Sequence, residues 1–244
     1  MGKIKQIYNL ASYLLPSMYI NFRYLPFRQA LKMPILVHKP HFLKMGGKII
    51  IDAPKINIGM IRLGIYASAL FPNNGFTLKH EGIIIFKGRC RIGNDCNIVC
   101  GKQGKIVFGD HFIATAGAKI VSQHSIIFGK DVLIGWSNII IDTNFHPLYD
   151  IETDRFKKSF GEIRIGNNNW LASQCMTLPG VITPEHCIFG ARSVITRSRE
   201  FESFCVYGGS PVKLLSRNVR LINGKTQIKD YTDTDLMIET PDIY

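Results

Sequence analysis

Between Ile165 and Ile195 the chain has a six-residue rhythm. Ile165, Leu171, Thr177, Thr183, Phe189 and Ile195 form one series, mostly apolar or β-branched. Four places further on, Asn169, Cys175, Val181, Cys187 and Ser193 form a second series of mostly small residues. A helix repeats every 3.6 residues and a strand every two, so neither produces this pattern. Six residues make one short strand and one sharp corner. Three such units close a triangular coil, and residues eighteen apart then stack at the strand spacing of about 4.8 Å. The pattern predicts a parallel β-helix, with the large residue inside and the small one near the corner. A single coil cannot bury its own interior, so coils must stack and the open ends must be capped.

Upstream the same motif is degenerate. Ile92-Gly93, Phe108-Gly109, Phe128-Gly129 and Ile134-Gly135 carry it, and its phase slips at CGKQGK (100–105) and SQHS (122–125). The longest interruption, 143–162, is polar and charged. Long segments without the repeat are usually functional or disordered, and this one is expected to protrude as a loop. These limits predict a partly helical basic segment over 1–45, a β-helix domain over 46–205 and a helix with a polar tail over 206–244. Within the first segment IKQIYNLASYLL reads as an amphipathic helix ending near Pro16, because proline disrupts a helix interior. The segment as a whole is expected to cap the first coil.

Charge adds a direction. The 244 residues carry a formal net charge of +12, yet no Asp or Glu precedes Asp52, while eight Lys or Arg do. A basic end suits an anionic partner such as a phosphate-rich cosubstrate or a lipid headgroup. Aromatic and basic residues mixed over 18–37 also suit a membrane interface, so peripheral contact with the inner face of a membrane is a further expectation. No helix-turn-helix, zinc-finger or aromatic RNA-binding motif points to nucleic acid. Residues 7–22 are uncharged, but Pro16 and two asparagines interrupt them and no small-residue cleavage site follows, so they are not read as a secretory leader. Six cysteines occur without a C-x-x-C pair, which fits small packing residues in a reducing cytoplasm.

Three blocks then converge. DTNFHP (142–147), IGNNNWLASQCMTLPGVI (165–182) and FGARSVITRS (189–198) followed by YGGSPVKLL (207–215) occur in this order. In them the chain resembles the hexapeptide-repeat acyltransferases of the maltose, galactoside and capsule O-acetyltransferase type. The resemblance implies an all-β fold, a left-handed parallel β-helix. It also implies a homotrimer with sites between subunits, acetyl-CoA as cosubstrate, no metal, and a sugar or polysaccharide precursor as acceptor. The function it implies is O-acetylation of a sugar hydroxyl in capsule, exopolysaccharide or lipopolysaccharide biosynthesis.

The resemblance assigns His146 as general base. Neutral imidazole is available for that work near neutral pH. Asp142 is a candidate to orient it, as in triad logic, or else a cap of the turn into the loop. Asn144 is a candidate for binding the acceptor. Trp170, Gly190, Ala191 and Ser193 match positions along the coenzyme A groove, and Arg197 and Lys213 match positions that meet its phosphates. Gln174, Pro184 and Arg192 depart from the family pattern. Three other functions stay open on the sequence: an N-acetyltransferase of a nucleotide-linked amino sugar, a scaffold without catalysis, and a zinc enzyme like the γ-class carbonic anhydrases. The last would need His111, His124 and His146 to converge.

Overall fold

The structure, a computed structural model, describes residues 2–65 and 68–222, with side chains from Ser12 onward. Short parallel strands wind into three sheets that form the faces of a prism. The first face runs from Ile35–Val37 to Cys205–Gly208, the second from Pro40–Met45 to Val194–Ile195, and the third from Lys48–Ile51 to Ile163–Ile165. Inward residues stack in register. On the first face Leu63, Ile92, Ala114, Ile134, Leu171, Phe189 and Tyr207 lie one above the next. On the third, the rings of Phe86, Phe108 and Phe128 stack 5.3 and 5.7 Å apart.

Both hexad series are buried from end to end. From Ile92 onward the inward residue recurs at every sixth position on passing from the first face to the second: Ile92 to Ile98, Ala114 to Ile120, Ile134 to Ile140. The same holds from the third face to the first, as in Phe108 to Ala114 and Phe128 to Ile134. Every extra residue of these coils falls at the corner between the second and third faces. CGKQGK, SQHS and 143–162 all sit there, so the phase slips of the sequence mark one edge of the prism.

Helix α1 (Gly2–Tyr24) lies against the first coil, and helix α2 (Phe27–Ala30) packs on α1. α1 continues through Pro16, where the sequence predicted its end. The first strand would otherwise present unpaired backbone groups, a liability of any sheet edge. Asn21 Nδ2 donates to the Ile35 carbonyl at 2.7 Å, and the Ile35 and Val37 N–H groups donate to Asn21 Oδ1 and Ser17 Oγ at 3.2 and 2.9 Å. These long-range bonds hold the helix in place whatever its local propensity. The coil begins at Ile35, inside the segment read as a cap.

At the other end Lys213–Arg217 folds back antiparallel on Cys205–Gly208. A helix was expected after this last coil. The described residues of 206–244 hold a strand there instead, because its backbone groups pair with the last parallel strand. Residues 223–244 lie outside the described residues. All six cysteines are buried and unbridged. Burial pushes the Cys96 and Cys187 thiols up to about 12 and Cys100 to about 11, so they are packing groups and poor nucleophiles.

Candidate functional site

The segment expected to protrude is a β-hairpin. Leu148–Asp150 pairs antiparallel with Arg155–Lys157, and Thr143 bridges Phe160 at its base. Lys157 and Asp150 form an ion pair at 2.9 Å across it. At the entrance the Asn144 N–H donates to the Ser159 carbonyl at 2.7 Å, and the His146 N–H donates back to the Asn144 carbonyl, also at 2.7 Å. Between them Phe145 has φ +60°, the left-handed region that a bulky residue rarely adopts. A turn closed across one such residue is a strained γ-turn, and strain of this kind gathers at functional sites. Pro147 restricts His146 to extended backbone. Asn144 and His146 are both exposed, and among the described residues no hydrogen-bond partner is seen for the His146 ring.

Asp142 sits just below this turn and is fully buried. Ser122 Oγ donates to Asp142 Oδ2 at 2.7 Å. The Gln123 and His124 N–H groups donate to its two oxygens at 2.8 and 2.9 Å. The carboxyl thus caps the corner of the preceding coil. Its side-chain partners are residues 122–124, neither the turn into the loop nor the His146 ring.

Sequence reasoning missed a second group on the same edge. Glu162 accepts from Arg164 Nη2 at 2.6 Å and from Ser125 Oγ at 3.1 Å. The Arg164 guanidinium, helped by Ser125, holds its carboxyl below the usual range. The His124 ring packs on Phe160 at 4.8 Å, so this histidine shares the hairpin's corner. The sequence offers His124 only as a possible zinc ligand, at the phase slip SQHS.

The other predicted residues divide between edges. Gly190, Ala191 and Ser193 lie at the corner between the first and second faces. Ser193 is buried, and its hydroxyl donates to the Gly190 carbonyl at 2.6 Å. Trp170 is half-buried on the first face. Lys213 starts the terminal antiparallel strand. Arg197 lies on the hairpin's corner, where its side chain runs over Gly180: a Cβ there would meet Arg197 Cδ at 3.0 Å. Gln174 and Arg192 are both at positive φ, and Arg192 Nε donates to Gln174 Oε1 at 2.9 Å. These two departures from the family pattern are therefore a stacked corner pair. His111 lies at the corner between the third and first faces, 3.3 Å from Asp131. It does not converge with His124 and His146, and among the described residues no group of three His, Cys, Asp or Glu could hold a metal. A cleft of about 370 Å³ lies far from the hairpin, between Arg23–Pro26 and Lys48–Ile51.

No protein-family model matches the chain. Curated relatives do. Galactoside O-acetyltransferase of Escherichia coli K12 is 29% identical over 130 residues, 52% of this chain and 60% of the relative. Chloramphenicol acetyltransferase of Klebsiella aerogenes is 31% identical over 71 residues, 29% and 32% of the two chains. Among solved structures, the polySia-specific acetyltransferase NeuO superposes with a TM-score of 0.60 at 21% identity, covering 81% of this chain and 78% of that one. The chain is similar to the hexapeptide-repeat acyltransferases. With them it shares the left-handed parallel β-helix. It spans less than two thirds of the length of the curated relatives it matches.

Proposed function

We propose that the protein is an acetyl-CoA-dependent O-acetyltransferase acting on a sugar hydroxyl, in the assembly of a capsule, exopolysaccharide or lipopolysaccharide, with His146 as general base. The observation that carries the proposal is the strained turn that holds His146 exposed on a protruding hairpin. The imidazole takes the acceptor's proton as its oxygen attacks the thioester carbonyl. A C–O bond forms, the C–S bond breaks, and the thiolate leaves and is protonated. Asn144, beside His146, contacts the acceptor. Arg197 and Lys213 meet the phosphates of coenzyme A, while Trp170 and the backbone around Gly190, Ala191 and Ser193 line its path.

His146 and the Gly190–Ser193 corner occupy different edges of the prism. They serve one site if two copies contribute, the hairpin of one against the groove of the next. That arrangement favours a trimer with a site at each interface. Acetyl-CoA and a panel of galactosides, amino sugars and sialic acid oligomers test the reading, with product mass and the acetylated atom as readouts. An acetyl ester on a sugar is the expected product, and an amide would assign the amino-sugar reaction instead. His146→Ala should lower transfer by about 10²–10⁴-fold. It should leave the melting temperature unchanged, since the ring is exposed. Undiminished turnover would remove His146 from the chemistry.

A further inference from the structure

Helix α1 turns large apolar side chains outward as well as burying Ile20 inward. Its inward face uses Ser17 and Asn21 to bond the edge of the first strand. Its outward face carries Leu14, Leu15, Met18 and Phe22, all exposed, and Phe27 and Leu31 of the following turn continue it. Leu15 is 65% and Phe27 68% exposed. Large apolar surfaces of this kind mark a contact with another body. Bases are interleaved with them in the chain, as Phe22-Arg23, Phe27-Arg28 and Leu31-Lys32. Among the described residues none of these three bases is ion-paired. Two acids of the first coils are engaged elsewhere: Glu81 with Lys44 and Lys79, Asp52 with Lys87.

We infer that this face docks on an anionic lipid bilayer, with the apolar residues at the headgroup boundary and the bases on lipid phosphates or carboxylates. Charge decides between occupants. A second copy docked through the same face would set base against base, since no Asp or Glu precedes Asp52. The last described strand, Lys213–Arg217, lies at the opposite end of the β-helix from Ile35–Val37. An anionic bilayer matches both the apolar surface and the positive charge. No helix among the described residues is long and apolar enough to cross a membrane, so the contact lies along the surface.

Flotation of the full chain with vesicles tests this without any assay of catalysis. Vesicles of equimolar phosphatidylcholine and phosphatidylserine should bind the protein, those of phosphatidylcholine alone at least about tenfold less, and salt should weaken the binding. The triple variant Arg23→Gln, Arg28→Gln, Lys32→Gln should bind about a hundredfold more weakly, roughly fivefold per charge. Leu15→Gln, Phe22→Gln and Phe27→Gln together should abolish binding with an unchanged circular dichroism spectrum. Equal binding to both vesicle types, or variants that bind like the parent, overturns the inference. So does a fall in oligomer mass in the apolar variant with no vesicle binding, which makes the face a subunit contact. Binding seen only after removal of 223–244 assigns the face to that segment instead.

Discussion

Replacing Asp142 by alanine separates a structural carboxyl from a catalytic one. The substitution removes the acceptor of three hydrogen bonds, from Ser122 Oγ and the N–H groups of Gln123 and His124. A buried donor left without a partner costs about 1–3 kcal/mol. Here Ser122 is buried, Gln123 half-buried and His124 exposed, so water can reach part of the corner. The loss should then lie near the lower end for each bond, about 3–4 kcal/mol in all. That is a large share of the roughly 5–15 kcal/mol that stabilises a typical domain. With a denaturant slope of about 1–3 kcal/mol per molar urea, the midpoint should fall by about 1–4 M. Asp142→Asn keeps one acceptor oxygen and should lose about half as much. Urea titration followed by fluorescence or circular dichroism measures both. Acetyl transfer measured on folded protein, below the transition, should then survive in Asp142→Asn. If both variants unfold at the parental midpoint yet lose transfer, Asp142 acts on His146 and the corner-cap argument is wrong.

Other consequences can be checked in parallel. His80 is fully buried under α1, and burial pushes its imidazole down to about 4 from an ordinary 6.5. The unfolded chain binds this proton more readily, so its contribution is fully present above about pH 6.5 and falls by roughly 1–2 kcal/mol as pH drops towards 4. The melting advantage of the parent over His80→Gln should shrink across that window, and parallel curves would refute the assignment. Arg197→Gln should raise KM for acetyl-CoA about tenfold with little change in kcat, the signature of lost ground-state binding. A fall in kcat at constant KM would place Arg197 with the reacting groups instead of the phosphates.

The sequence by itself determined the coil. The hexad at 165–195 is set by local geometry, one strand and one corner for every six residues, so burial of each repeated position could be read directly. The block DTNFHP likewise singled out His146 from a short linear stretch. Contacts distant in sequence were not legible. Nothing local says that α1 passes through Pro16, because the bonds that hold it run from Ser17 and Asn21 to a strand fourteen to twenty residues away. Lys213–Arg217 becomes a strand because the last coil offers it an edge to pair with. Asp142 is adjacent to the histidine block in the chain, yet its carboxyl is spent on residues 122–124, eighteen to twenty positions earlier and one coil below. Stacking alone brings such residues together. The period of the chain predicts that coils stack, whereas which side chains meet at each corner depends on how many residues every coil inserts there.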